Sequence, residues 1–315
     1  MPIGLGQLRA FHAVVTGGGI TRASERLHVT PPAISAQIRQ LERQAATKLI
    51  ERAGRSVQLT SAGAMLADYA RRIFALVEDA ESALASTGAT VRGRLRVAAS
   101  DTAAAYYLGP FWRAMRRDHP ELRIDVSAYN TAAVAEQLLS RVADLGVLAG
   151  VSAPAELVLV PLVTDELVVV VAPDHPLAGR RTVDLKDVAA HPVILRERGS
   201  ATRELVEREM ARRRVTPRIA MEIDSSEAIK RAVEGGLGVG ILSAVIARRE
   251  VAEGTLRAIR IHGTPPRRVI HLAYHVERHD SPLLRAVLRT AATLSTEARA
   301  TARRAGRTGK SARSR

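Results

Sequence analysis

Apolar side chains in the first 45 residues recur at helical spacing in three short runs. Leu5, Leu8, Phe11 with His12, and Val15 mark the first, an amphipathic helix over residues 5–15. Gly17, Gly18 and Gly19 stop it. Thr21 then stands as the N-cap of a second helix, TRASERL, with Ala23 and Leu27 inward and Arg22, Glu25 and Arg26 outward. His28 and Val29 form a short turn. Thr30 is placed to cap a third helix, and Pro31 suits its first position, where a missing N–H costs nothing. Ile34, Ile38 and Leu41 give that helix an i, i+4, i+7 stripe that docks it on the other two. Its opposite side carries Pro31, Pro32, Ser35, Gln37 and Arg39, small or polar and without acid. A short helix, a tight turn and a second helix with an acid-free exposed start is a helix-turn-helix pattern. An ordinary pair of surface helices has the same spacing; the acid-free face is what favours a reader of the DNA major groove.

Residues 52–60 predict a turn and a short strand, Val57 and Leu59 alternating with Ser56 and Gln58. That is the position of a wing, with Arg52 and Arg55 near its tip, able to touch phosphate or enter a minor groove. Ser61 is placed to cap a long helix over 61–87. Leu66, Ile73 and Ala80 recur at seven along it, as do Ala70, Val77 and Leu84. The two series make a coiled-coil seam of nearly three heptads, buried either on its own chain or against a second copy.

Gly88 and Gly93 bracket a link, and the pattern then changes. Strands at 95–100, 121–128, 144–148, 191–195, 218–223, 238–242 and 267–274 alternate with helices at 103–118, 131–142, 201–212, 225–236 and 281–295, and the apolar runs LVLVPLV and LVVVVAP add two more strands. This rhythm predicts an α/β fold with largely parallel, two-sided apolar strands. Proline-containing breaks near 173–176 and 265–266 suggest a chain that enters a second lobe and returns.

Charge sharpens the picture. The chain has 315 residues and a formal charge of +15. The first 60 residues hold eight basic and three acidic side chains, and residues 298–315 hold seven Arg/Lys and no acid. Such a balance points to a polyanion partner. The terminal stretch reads either as a solvated tail or as an arm adding non-specific phosphate affinity. There are no cysteines, which excludes a disulfide framework and thiolate metal sites and suits a reducing cytosol. The start MPIGLGQLRAFHAVV lacks the order of a signal peptide, and the apolar runs are too short to span a bilayer. The expected location is the bacterial cytoplasm, on the nucleoid, with no membrane partner.

Enzyme chemistry finds no support. His275 and His279 could hold zinc at i, i+4 on a helix, but they follow a strand beside Pro282 and read as turn histidines. GGLGVG at 235–240 joins a helix to a strand, the reverse of the order that presents helix amides to a pyrophosphate. No Ser/His/Asp constellation can be assigned, and no metal or cofactor is called for. A solute-binding protein is the rival for the α/β half, and the helical, basic first 90 residues oppose it.

The stretch LGQLRAFHAVV, TRASERLHVTPPAISAQIRQLE and KLIERAGRSVQLTSAG resembles the N-terminal domain of LysR-type transcriptional regulators over essentially the first 90 residues. The remainder is similar to that family's effector domain, a two-lobed fold like that of periplasmic binding proteins. The implied fold class is an α+β two-part chain: a winged helix-turn-helix over 1–60, a linker and dimerisation helix over 61–90, and an α/β effector domain over 91–296. Lobe I would comprise 91–164 and 267–296, lobe II 165–266, and 297–315 a basic disordered tail. The implied partners are double-stranded DNA, further copies of the chain in a homodimer or homotetramer, and a small anionic metabolite between the lobes. Pro31, Pro32, Ser35 and Gln37 fall at the family's DNA-contact positions and Arg55 at its wing; with Thr30, Arg39 and Arg52 they make the expected DNA-binding set. Ala36 stands where the family usually has Arg or Lys, Ala45-Ala46 where Leu-Gly is usual, and Ile50 where Phe is usual. These imply a lost backbone contact, a less filled core and a helix end without its glycine, the last costing about 1 kcal/mol.

VAASDTAAAYYLGP, AYNTAAVAEQLL, ILRERGSATRELVE and DSSEAIKRAVEGGLGVGILS look like the subgroup of carbon-fixation and sulfur-assimilation regulators. In open α/β folds ligands lie beyond strand ends, where helix starts offer free amides to anions. Ser100 and Thr102, Asn130 and Thr131, and Ser200 and Thr202 begin helices in that way, the last pair beside Arg196, Arg198 and Arg203. Each alone suits plain N-capping; the resemblance implies that they converge on a small carboxylate, phosphate or sulfur oxyanion.

Overall fold

The computed structural model describes residues 3–53, 56–85, 91–150 and 153–293. The chain forms two compact units, Met1–Glu81 and Ser82–Arg315.

The first unit begins with three helices, α1 (Leu5–Gly17), α2 (Ile20–Leu27) and α3 (Pro31–Ala45). Ala10, Ala13, Val14, Ala23, Ile34 and Ile38 are buried together where the three stripes meet. All three helices end in the same way. The residue after each helix is left-handed: Gly18 at φ 72°, His28 at φ 53° and Ala46 at φ 50°. The next amide then donates back to the carbonyl five residues earlier: Gly19 to Val14, Val29 to Ser24, and Thr47 to Glu42. Glycine is comfortable in that conformation; His28 and Ala46 are held there by the bonds around them. The second helix starts at Ile20 with Gly19 as its cap, so Thr21 lies within the helix. Thr30 does occupy the N-cap of α3 with extended backbone, but its hydroxyl makes no capping bond. Ala45 is exposed, so the missing leucine there leaves no void.

A hairpin follows, β1 (Ile50–Ala53) and β2 (Ser56–Leu59), paired antiparallel from Ile50 with Leu59 to Ala53 with Ser56. Arg52 therefore belongs to a strand, opposite Val57. The long helix α4 (Ser61–Ala85) is capped by Thr60 rather than Ser61: the Thr60 hydroxyl accepts from Gly63 N at 3.0 Å. Gly63 is required there, since a Cβ would sit 1.9 Å from the Leu49 carbonyl oxygen. Ala67 and Ala70 bury the first half of α4. The exposed apolar positions are Met65, Tyr69, Ile73, Leu76 and Leu84, with Leu76 71% and Leu84 88% exposed. They fall on one stripe about 100° wide, rotated from the expected seam because Ala70 packs inward.

The second unit is built from β3 (Gly93–Ser100), α5 (Asp101–Tyr106), α6 (Gly109–Asp118), β4 (Leu122–Tyr129), α7 (Thr131–Leu139), β5 (Leu145–Ala149) and β6 (Leu157–Val171). Then come β7 (Thr182–Val183), α8 (Leu185–Ala189), β8 (Pro192–Arg196), α9 (Ala201–Arg212), β9 (Arg218–Ile223), α10 (Ser226–Glu234) and β10 (Val239–Ser243). It closes with α11 (Arg248–Glu253), β11 (Arg257–Ile261), β12 (Arg267–His275) and α12 (282–293). The strand order is β4-β3-β5-β12-β6-β10-β8-β9, with β11 on β6 and β7 on β11. Two sheet halves meet in β6. Its residues up to Glu166 pair with β12, and Leu167–Val170 pair with β10. The outgoing crossing thus lies inside one continuous strand, not at the breaks near 173–176. The return is at Pro266, whose carbonyl accepts from Leu167 N at 2.9 Å. Each half carries helices on both faces, over the Leu95–Phe111–Leu272 and Val134–Leu138 clusters in one lobe and the Val169–Leu195 and Ile194–Ile229 clusters in the other. The sheet is mixed: β3, β4, β5 pair in parallel, as do β8, β9 and β10, whereas β6 runs antiparallel to both β12 and β10.

Two expected elements differ. The predicted helix 103–118 is broken into α5 and α6 at Tyr107–Leu108, because Pro110 lacks the N–H a continuous helix needs. The runs around Pro161 form one strand; a bulge at Leu162 of β6, opposite Ile270 and His271 of β12, accommodates that proline.

Candidate nucleic-acid interface and interlobe site

In the first unit the exposed start of α3 carries Thr30, Pro31, Pro32 and, further along, Gln37 and Arg39, with Ser35 half-buried. No acidic residue occupies its first turn. Helical geometry puts Pro32, Ser35, Ala36 and Arg39 on one face, while Gln37 lies on the opposite flank, toward Gly6 of α1. Arg43, four residues beyond Arg39, extends the face; with Lys48 these arginines line a shallow groove at the end of α3. Arg43 and Lys48 were absent from the expected set, although the i+4 spacing carries the signal. Arg55 and the side chain of Arg52 lie outside the described residues.

Glu42, also in that groove, does not cancel the charge of the arginines. It is buried and accepts from the amides of Leu49 at 3.0 Å and Ile50 at 3.4 Å and from Lys48 Nζ at 3.0 Å. Burial pushes its carboxyl up, but these donors outweigh it and hold the group below its usual range. It ties α3 to β1.

In the second unit, four helix starts meet across the two lobes in pairs. α5 faces α10: Asp101 Oδ2 accepts from Ser226 N at 3.3 Å and pairs with Arg196 Nη1 at 3.4 Å, which also donates to Ser226 Oγ at 2.8 Å. Tyr106 of α5 reaches the same helix through Glu227 and Lys230. α7 faces α9: Asn130 Nδ2 donates to the Arg198 carbonyl at 3.4 Å, Ala132 N to the Gly199 carbonyl at 3.0 Å, and Ala201 N to Thr131 Oγ1 at 3.3 Å. The strand order decides these pairings, because it sets β3 and β4 opposite β8, β9 and β10.

Asn130, Thr131, Ser200 and Thr202 thus come together around α7 and α9. Asn130 also caps its helix, accepting from Ala133 N at 2.9 Å. Ser200 occupies the N-cap of α9 without a side-chain bond. Ser100 and Thr102 are buried at the start of α5, on the side that joins α10. Arg203 turns away from the cleft to Glu207, Glu222 and the Arg196 carbonyl.

The crossing between lobes holds residues the sequence reading did not single out. Asp165, buried, accepts from Tyr107 Oη at 2.8 Å, from Arg268 Nε at 2.8 Å and from Ser243 Oγ. Arg268 Nη1 donates to Thr202 Oγ1 at 2.7 Å. Burial, followed by the charge and hydrogen bond of Asp165, pushes the Tyr107 hydroxyl up to about 12, so it remains a donor near neutral pH. Asp165 and Arg268 are 103 residues apart, and no local pattern links them.

A helix-turn-helix unit with a hairpin wing, on the same chain as a two-lobed α/β unit, is the build of a ligand-responsive bacterial regulator. Residues 5–64 match the bacterial regulatory helix-turn-helix proteins of the lysR family, and residues 88–295 match the LysR substrate binding domain; the chain belongs to the LysR family of DNA-binding transcriptional regulators. It is 34% identical over 282 residues to the RuBisCO operon transcriptional regulator of Allochromatium vinosum, covering 90% of this chain and 93% of that one. It is 31% identical over 255 residues to the HTH-type transcriptional regulator CysL of Bacillus subtilis, covering 81% and 85%. Among solved structures it is similar to the CcmR regulatory domain of Synechocystis PCC6803 in complex with 2-PG, with 26% identity, a TM-score of 0.60 and coverage of 65% and 98%. These relatives support the carbon-fixation and sulfur-assimilation subgroup that the second-domain segments resemble. Among the described residues no helix is long and apolar enough to cross a membrane, and no cluster suited to a metal ion is found.

Proposed function

We propose that this regulator reads double-stranded DNA with the exposed face of α3 and is switched by a small anionic metabolite held between the lobes of its second unit. The paired helix starts support the second part: α7 and α9 begin at one cavity with their positive dipole ends, while at α5 and α10 the Asp101 carboxylate takes up the Ser226 amide. Carboxylates, phosphates and sulfur oxyanions fit that field. The solved CcmR domain carrying 2-PG supports a small molecule as the ligand class.

The exposed stripe of α4 supports pairing with a second copy through a coiled-coil seam, giving a dimer or, by further association, a tetramer. Two copies of α3 would then enter successive major grooves of an inverted repeat. Ligand binding would favour one arrangement of the lobes, and so one spacing of the reading heads, by its differential affinity for the two. The site of action is the bacterial cytoplasm.

Pro32→Ala combined with Ser35→Ala tests the reading face. Sequence-specific DNA binding should fall by at least tenfold while binding to random DNA, carried by the arginines, falls by less than threefold. Equal loss on both DNAs refutes these residues as readers.

A further inference from the structure

Between α7 and α9 lies a cavity of about 210 Å³, whose lining includes Thr131, Ala135, Ala201 and Arg268, with one acid, Glu204, beside Arg208. Arg268 differs from the other cations there: its side chain is only 7% exposed. Two edges of its guanidinium are fixed, Nε by Asp165 at 2.8 Å and Nη1 by Thr202 at 2.7 Å. Nη2 is buried and has no hydrogen-bond partner. A buried guanidinium N–H without an acceptor is costly, and such groups in folded proteins are nearly always satisfied. Here the group is held rigidly on a cavity wall, beside the first residues of two helices, Thr131 and Ala201, and near the cation of Arg208.

We propose that Arg268 is the specificity residue of the effector site, donating from Nη2 to an oxyanion head of the ligand in this cavity. The proposal rests on the reading of the interlobe cleft as the effector site, and adds which wall and which atom recognise the ligand. Asp165 sets the orientation of the guanidinium and neutralises its charge in the absence of ligand. Thr202 fixes its plane, so the Thr202 hydroxyl serves to position Arg268. The ligand class follows from size and chemistry. The cavity is smaller than the roughly 300 Å³ at which drug-sized pockets begin. It fits a compact carboxylate, phosphate or sulfur oxyanion with few further heavy atoms. A rigid planar donor fork discriminates such heads from spherical anions such as chloride.

The test uses the full chain and three probes, inorganic phosphate, sulfate and malonate, titrated calorimetrically at ionic strength matched with chloride. Arg268→Lys keeps a cation for Asp165 but removes the second amino group of the fork. Ala135→Trp fills the cavity and leaves residue 268 an arginine. Wild-type protein should bind at least one probe, and both variants should weaken that binding by tenfold or more. Loss in Ala135→Trp with retention in Arg268→Lys leaves the cleft reading standing and overturns the role of Arg268. Retention in both variants places the anion elsewhere and overturns both. Absence of binding of all three probes to the wild type overturns the proposal as well.

Discussion

Ala46→Gly should make the DNA-reading unit more stable, and the size of the gain is set by one backbone angle. Ala46 sits at φ 50°, ψ 30°, immediately after α3. An L-residue in that left-handed conformation costs roughly 1–2 kcal/mol, from the approach of Cβ to the following carbonyl oxygen. Glycine removes that cost and returns roughly 0.4–1 kcal/mol through the greater entropy of its unfolded chain. The net expected gain is about 0.5–1 kcal/mol. Nothing else should change, because Ala46 is exposed and its amide donates only to the backbone carbonyls of Arg43 and Glu42. The sole tryptophan, Trp112, lies in the second unit, so its fluorescence does not follow this transition. Hydrogen exchange of peptides covering 31–45 in the full chain does. Exchange through unfolding of the unit should slow by about two- to fivefold, and the unit's melting temperature should rise by about 3–6 °C. Ala45→Gly is the control: it introduces the same residue one position earlier, inside the helix, and should destabilise by roughly 0.5–1 kcal/mol. An Ala46→Gly variant no more stable than the parent would refute the strain argument.

Glu42→Gln should destabilise the first unit by about 1.5–3 kcal/mol, since the carboxylate carries charge-assisted bonds to Leu49, Ile50 and Lys48, and chemical denaturation followed by hydrogen exchange measures it. Because the folded Glu42 carboxyl is depressed, its contribution should be complete above its ordinary value near 4.5 and disappear as pH falls through the lower folded value; a Gln variant should lack that part of the acid transition. Leu76→Glu on the exposed stripe of α4 should convert the dimer to a monomer in analytical ultracentrifugation at micromolar concentration, and an unchanged mass would exclude this stripe as the seam.

The parts of the fold written in local spacing were legible. The stripes of Leu8, Ala23, Ile34 and Ile38 gave three helices and their mutual packing, and Pro31 marked the start of α3 to the residue. Helix ends were legible in place but not in conformation: the glycines marked the first, the turn at His28 the second and the family resemblance the third, while the left-handed backbone at His28 and Ala46 carries no residue signature. Pro110 did mark the break between α5 and α6, but the apolar run across 103–118 outweighed it in the reading. Of the seam expected on the long helix, Ile73 and Leu84 lie on the exposed stripe and Ala70 does not, since periodicity alone cannot tell Ala70, which packs within the unit, from Tyr69, which is exposed. In the second unit each helix start was visible in the sequence, whereas which starts face each other is a property of strand order. The Asp165–Arg268–Thr202 cluster was invisible for the same reason: its members meet only where the chain crosses between lobes and returns.

The central claim is selective DNA recognition, and one titration tests it most directly. Full-length protein is titrated onto labelled DNA flanking its own gene, a natural probe in a family whose members often control a divergent neighbour, at physiological salt with excess random competitor. The account predicts a complex that survives competition and is lost when Pro32 and Ser35 are replaced by alanine. Binding that disappears under competitor, with wild type and variant indistinguishable, would mean that charge alone drives the interaction and would contradict the account.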